Sequence, residues 1–141
     1  MVHALERARE HLRRGGAVVC IQPHRTKRPS IAVVAPGYRG PVGALINPAF
    51  KPSIVAANAA IQSLLDERQF SLIGTTHHRF RNHVASPSEL RRYLNLAPRP
   101  SRFPPGGRRW LDALWRSRID GARIEVTEYF TVIALRSTRG R

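Results

Sequence analysis

Basic and imidazole side chains are the groups in this sequence best suited to binding a substrate. Three of them, His24, Arg25 and Arg28, lie close together. They follow residues 17–22, a short apolar segment with the composition of a buried strand. Open α/β sheets bind ligands beyond the carboxyl ends of their parallel strands, and guanidinium groups bind carboxylates and phosphates. We therefore predict that these three residues, with His83 from a later strand, bind substrate; the alternative is a solvated loop and a surface histidine.

The patterns required for a metal centre or a paired acid and base are missing from the sequence. His77 and His78 are adjacent, and adjacent strand residues point to opposite faces, so they cannot easily chelate one ion. Glu125 and Glu128 also fall on opposite faces of a predicted strand, which does not suggest paired carboxylates, and we expect Glu128 to pair with an arginine. Cys20 lies in the middle of a predicted strand, where we expect a packed apolar group rather than a nucleophile.

A glycine series at Gly37, Gly40 and Gly43 does not fit a phosphate-binding loop. Such a loop needs closely spaced glycines that open directly into a helix, whose N-terminus then faces the phosphate. Prolines interrupt this segment, and no capped helix begins at Gly43. We predict an ordinary loop here.

The charge is strongly positive. The 141 residues include 24 Lys and Arg against 9 Asp and Glu, for a net charge of +15, and only Lys27 and Lys51 are lysines. The excess lies in the first 30 residues and between residues 77 and 118, so it does not form a basic tail. We expect non-specific binding to polyanions at low salt. Aromatic residues make up only 7% of the chain, which argues against a stacking platform for single strands.

Other features exclude several classes of protein. Apolar residues make up 42% of the chain, enough for a folded core, but no run of 18 of them predicts a membrane-spanning helix. The charged N-terminus is unlike a signal peptide. A single cysteine excludes an internal disulfide and favours a reducing, cytoplasmic setting.

Hydrophobic periodicity and helix-capping residues predict helices and strands in alternation, which indicates a layered α/β fold. The clearest helix start is at Ser86, where a capping serine precedes a proline and a glutamate. Trp110 and Trp115 are predicted to pack in the core. The predicted helices cover residues 2–14, 51–69, the segment after Ser86, and 108–117; the predicted strands cover 17–22, 31–35, 77–83 and 123–136; the rest of 23–49 and residues 97–107 are predicted loops.

Three of these segments resemble successive parts of class I S-adenosylmethionine-dependent methyltransferases. Residues 4–19, with Leu-Arg-Arg-Gly-Gly at 12–16, resemble a helix, a Leu-Arg-Pro-Gly-Gly turn and the fifth strand. Residues 80–94, with Ser-Pro-Ser-Glu-Leu at 86–90, resemble the sixth strand and its helix, and residues 124–136 resemble the last strand. The resemblance implies part of a Rossmann-like sheet, the later strands only and mostly parallel, with helices on its faces. It implies one half-domain over residues 1–136 and a frayed tail over 137–141.

The implied activity is transfer of a methyl group from S-adenosylmethionine to an unknown acceptor. In the family, the glycine-rich loop and the acidic residue that bind the cofactor precede the first of these segments, so none of those residues can be assigned here. We therefore expect this chain alone neither to bind S-adenosylmethionine in the family's way nor to be active. The resemblance places the acceptor pocket in residues 23–49 and 95–110. The alternatives are a non-catalytic, basic nucleic-acid-binding adaptor and an inactive remnant.

The resemblance also implies an open sheet edge. The fourth strand of the family would pair with residues 17–22, and its absence leaves that edge and the helix residues Leu5 and Leu12 uncovered. We expect a homodimer or a separate N-terminal half to cover them, and no membrane association.

Overall fold

The computed structural model describes residues 2–96 and 100–138. Within these residues the chain forms an open, five-stranded antiparallel sheet and four helices, and none of these helices has the length and apolar character needed to cross a membrane. The elements in order are α1 (Val2–His11), β1 (Ala17–Pro23), β2 (Ser30–Ala35), β3 (Tyr38–Ala44), α2 (Phe50–Asp66), β4 (Phe70–Val84), α3 (Pro87–Leu94), α4 (Gly107–Arg116) and β5 (Arg123–Ser137).

The last strand, β5, organises the sheet. It pairs with β1 through residues 130–136 and with β2 through residues 123–127, both antiparallel, and it also pairs with β4. The prediction of α/β structure with helices packed on a sheet is confirmed. The prediction of a mostly parallel sheet is wrong. Parallel neighbours need a crossover connection of a dozen or more residues, usually a helix, whereas only residues 36–37 separate the paired strands β2 and β3.

The hairpin of β2 and β3 replaces most of a predicted loop. Gly37 adopts a φ of +71° between the two strands, a conformation that glycine reaches without steric cost. Pro41 lies within β3 although it cannot donate a backbone hydrogen bond. This is tolerated because β3 is the last strand in the sheet order, with one partner only. The prolines that predicted a loop therefore mark an edge strand.

The chain divides into two compact units, and the single half-domain over residues 1–136 stays a prediction. The first unit contains Met1–Arg25, Phe50–His78 and Phe130–Arg141, and the second contains Thr26–Ala49 and Arg79–Tyr129. Both long strands, β4 and β5, contribute residues to each unit.

The core of the first unit lies where α1 and α2 pack on β1 and β5. Leu5 is buried and Leu12 is partly buried in this core, so the prediction that these helix residues are uncovered is wrong. Cys20 packs at its margin, where burial raises the pKa of the thiol. The buried residues of this core are Leu5, Ile61, Leu64, Phe70, Ile133 and Leu135.

The core of the second unit lies where α3 and α4 pack on β2 and β5. Leu90, Leu111, Ile124 and Val126 are buried in it, with Trp115 packed against them. Trp110 departs from the prediction of a core tryptophan, because its ring is half exposed. Its indole Nε1 donates a hydrogen bond of 2.9 Å to the Pro41 carbonyl.

Chain ends and helix ends differ modestly from the sequence prediction. α1 ends at His11 rather than at residue 14, and Gly15 has a φ of +70° in the turn that follows. The frayed tail was predicted to begin at residue 137, but Ser137 is buried in β5 and the Thr138 hydroxyl donates to the Arg68 carbonyl. Residues 139–141 of the predicted tail lie outside the described residues.

Candidate functional site

A buried carboxylate on β5 is the centre of the most polar site in the second unit. The side chain of Glu125 is only 5% exposed. Arg39 donates to its Oε1 from Nη1 over 2.6 Å, and the Thr127 hydroxyl donates to the same oxygen over 2.8 Å. A buried carboxylate needs such partners, since an unpaired charge loses its hydration without compensation.

Two further basic side chains approach the second carboxylate oxygen. Arg81 Nε lies 3.7 Å and His83 Nε2 lies 3.5 Å from Glu125 Oε2. Glu125, Thr127, Arg39, Arg81 and His83 are called the Glu125 cluster below. The three basic side chains are each about half exposed, so the cluster has a buried floor and a rim open to solvent.

Strand alternation brings these side chains together. Arg81 and His83 are two residues apart on β4, and Glu125 and Thr127 are two apart on β5, so each pair shares one face of its strand. Ile124 and Val126, which alternate with them on β5, point the other way, into the core with α3 and α4.

Arg39 reaches the same carboxylate from β3. Ala32 on β2 lies opposite Glu125 in the sheet register and is buried. Arg39 lies opposite Val34 on β2, so its side chain extends diagonally across β2 to contact Glu125.

The electrostatics keep Glu125 ionised at neutral pH. Burial by itself raises the pKa of the carboxyl group and is the largest single effect. The hydrogen bonds from Arg39 and Thr127 and the positive charges of Arg39 and Arg81 together outweigh it, so the pKa of Glu125 lies below its usual value. Two guanidinium groups face one carboxylate, which leaves an excess charge of +1.

Only one of the four predicted substrate-binding residues, His83, lies in the Glu125 cluster. His24 belongs to the first unit, where its ring centroid is 4.8 Å from that of His77. A ring nitrogen of His77 is in turn 3.1 Å from the Thr131 hydroxyl. Arg25 of the first unit and Arg28 of the second are both exposed. Their predicted role in substrate binding stays a prediction.

Sequence reasoning missed Arg39, Arg81 and Glu125 as site residues. The alternation of Arg81 and His83 in a predicted strand was the available signal, because it places two cations on one face. Among the described residues no arginine forms an ion pair with Glu128; instead the Tyr93 hydroxyl donates to Glu128 and accepts from Asn82. Burial, followed by the charge of Glu128, raises the pKa of Tyr93.

A cavity of about 460 Å³ lies in the second unit beside α3 and α4. Its volume is within the range of small-molecule pockets. Part of its lining comes from residues 101–103 and Arg108, within the segment where the acceptor pocket is predicted. Apolar groups such as Leu90, Leu111 and Phe103 alternate with Arg91 and Asp112 around it.

In the described part of the chain, no three His, Cys, Asp or Glu side chains converge in a way that could hold a metal ion. The adjacent histidines have separate partners: His77 contacts Thr131, and the Nε2 atom of His78 lies 3.0 Å from the Thr76 hydroxyl.

No protein-family model, curated protein or solved structure matches this chain. The resemblance to class I methyltransferases therefore rests on the three sequence segments that carry it.

Proposed function

We propose that this chain is the acceptor-side part of a class I S-adenosylmethionine-dependent methyltransferase. One observation carries the proposal. The three segments that resemble the family include the start of β1, the end of β4 and almost all of β5, and these strands are neighbours in one sheet, with β5 paired to both of the others. Segments separated by up to a hundred residues thus meet in one structural element, as parts of a shared fold would.

The described residues do not fit a binding site for S-adenosylmethionine. The sequence has no Gly-x-Gly-x-Gly loop, and the widely spaced glycines at 37, 40 and 43 lie in the β2–β3 hairpin rather than at the start of a helix. The proposal therefore assigns cofactor binding to a different polypeptide segment and assigns acceptor binding to this one. The cavity beside α3 and α4 and the Glu125 cluster are its two candidate acceptor sites.

Calorimetry with S-adenosylmethionine tests this division of cofactor binding and acceptor binding between two polypeptide segments. We expect no binding to the purified chain, and micromolar, stoichiometric binding to a longer protein that also carries a strand and a Gly-x-Gly-x-Gly loop encoded in frame upstream of Met1. Stoichiometric binding to the chain alone would contradict the division. An upstream region without such a loop, together with no binding by the extended protein, would contradict the methyltransferase proposal itself.

A non-catalytic nucleic-acid adaptor is the second candidate, favoured by the surface of β4. Arg79, Phe80 and Arg81 are consecutive and exposed on this strand, which presents an aromatic ring on one face and two arginines on the other. Stacking of a base on one aromatic ring contributes about 1–3 kcal/mol.

Fluorescence anisotropy with a single-stranded oligonucleotide distinguishes this adaptor from a merely basic surface. An adaptor that stacks bases on β4 loses at least about fivefold in affinity on Phe80→Ala. Leu72→Ala is the matched control, because Leu72 is an apolar residue of the same strand with nearly the same exposure. Equal affinities of the two variants would exclude this stacking role for Phe80.

A further inference from the structure

The Glu125 cluster carries more positive charge than its internal pairing requires. Within the described residues, Glu125 is the only carboxylate that forms an ion pair with Arg39, Arg81 or His83. One carboxylate neutralises one guanidinium group. The second arginine of the cluster therefore has no second carboxylate with which to pair. Like charges at close range are unfavourable unless an anion joins them.

The donors that remain in the cluster face solvent. Arg39 contacts Glu125 through Nη1, and Arg81 approaches it through Nε, whereas a guanidinium carries five N–H donors. Because both side chains are half exposed, their other donors can contact a ligand. Glu125 and Thr127 form a floor that restrains the first arginine, and a restrained guanidinium loses less freedom when an anion binds.

We propose that the Glu125 cluster binds the terminal phosphate monoester of a small molecule, with Arg39, Arg81 and His83 as its ligands. Arg39 on β3 and Arg81 and His83 on β4 all approach one carboxylate, so an anion at their exposed side meets donors from two strands. A monoester has three peripheral oxygens and close to two negative charges near neutral pH. These suit two guanidinium groups and an imidazole that share a single carboxylate. A phosphodiester offers two such oxygens and a single charge. This proposal does not depend on methyl transfer.

Nuclear magnetic resonance titration of the full chain with inorganic phosphate tests the site. We expect phosphate to shift the side-chain N–H resonances of Arg39 and Arg81, and Arg81→Gln to weaken phosphate binding about tenfold, as the loss of a charge-assisted bond implies. Arg109→Gln is the matched control. It removes the same charge from the exposed surface of α4 in the same unit, so we expect an unchanged affinity.

Comparison of ligands tests the chemical class. At physiological salt, where sequence-independent binding of polyanions is expected to be weak, a nucleoside 5′-monophosphate should bind more tightly than acetate and more tightly than an oligonucleotide without a terminal phosphate. Equal phosphate affinity of the Arg81 and Arg109 variants would overturn the proposal. Equal binding of the monoester and the oligonucleotide, with both reduced by Arg81→Gln, would also overturn it and would identify a nucleic-acid backbone as the ligand. Unchanged circular dichroism and melting temperature verify that each variant is folded.

Discussion

At the scale of single residues, Glu125 is a charged side chain on β5 between two apolar residues of the same strand. Ile124 and Val126 on either side of it are fully buried in the core, yet the carboxylate keeps two short hydrogen bonds and two nearby cations. The stabilising partners come from other strands, Arg39 from β3 and Arg81 from β4. Folding of the sheet and ionisation of this group therefore support one another.

Replacing the carboxylate with an amide tests this coupling. Glu125→Gln is expected to lower the free energy of unfolding at pH 7 by about 1–2 kcal/mol, because it weakens hydrogen bonds to a charged group. Urea unfolding followed by circular dichroism measures the change. Glu10→Gln, at an exposed position of α1, is the control and should change stability by less than about 0.5 kcal/mol. Equal stability of the two variants would show that the buried pairing contributes nothing net.

The same group predicts a dependence on pH. The pKa of Glu125 is lower in the folded chain than in the unfolded one, so its contribution to stability is complete at neutral pH. That contribution is lost as the pH falls through the lowered folded-state pKa. The stability difference between the wild-type chain and Glu125→Gln should therefore shrink in acid. A difference that grows as the pH falls would mean that the pKa is raised instead.

At the scale of elements, α3 begins with a side-chain cap from Ser86 and a second contact from Glu89 to the residue before the cap. The Ser86 hydroxyl accepts a 3.2 Å hydrogen bond from the Glu89 backbone N–H, and the Glu89 carboxylate accepts a 2.6 Å bond from the Ala85 N–H. These contacts satisfy donors that the helix itself cannot use. They also set the direction in which Leu90 enters the core.

Loss of the cap should destabilise the chain measurably. We expect Ser86→Ala to lower the free energy of unfolding by about 1 kcal/mol, as for other serine caps. Thermal and urea unfolding provide the measurement. Ser86→Asp keeps an oxygen acceptor at the same position and should retain most of the wild-type stability. An aspartate variant as unstable as the alanine variant would argue that the cap is not the cause.

A different element, β1, has one face in the core and one face in solvent. Val18 and Cys20 pack against the core of the first unit, whereas Val19 is 60% and Ile21 is 69% exposed. Among the described strands β1 pairs only with β5, so its other edge has unpaired backbone groups. An apolar strand with an open edge favours association with a second strand.

We therefore predict that the chain associates through β1. Light scattering after size exclusion should show a dimer or larger species, and the double substitution Val19→Thr with Ile21→Thr should shift it towards the monomer while keeping strand-forming residues. Val55→Thr is the control, since Val55 is 59% exposed on α2 in the same unit. A monomeric wild-type chain at high concentration would contradict both the association and the expected need for a partner.

At the scale of the whole molecule, net charge governs the response to polyanions. With +15 on 141 residues, the chain should bind DNA and RNA at low salt regardless of sequence. The logarithm of the binding constant should fall linearly and steeply with the logarithm of salt concentration, because arginines that contact phosphates release counterions. Anisotropy titrations at several salt concentrations measure the slope. Retention of a preferred sequence at physiological salt would favour the adaptor function over methyl transfer.

The sequence by itself determined those features of this protein that depend on local interactions. The start of α3 at Ser86, the helix predicted over residues 51–69 and the strand predicted over residues 123–136 all follow from hydrogen bonds and side-chain periodicity within one segment, and the structure confirms each as α3, α2 and β5. The position of His83 on a strand surface beside other basic residues was predictable for the same reason. Interactions between residues that are close together in the sequence are sufficient to determine such features.

Only the tertiary structure decided the direction of the strands and the partners of Glu125. Whether β1 and β2 run parallel or antiparallel to β5 depends on pairing between residues about a hundred positions apart. The periodicity of side chains within one segment does not indicate that pairing. The sequence predicts a loop around Arg39 because prolines surround it, and Arg39 reaches Glu125 because this segment forms β3, which pairs with β2 beside β5. The sequence determines the charge of each residue. The cluster of charges forms only where strands meet, because the Coulomb interaction depends on distances that folding sets.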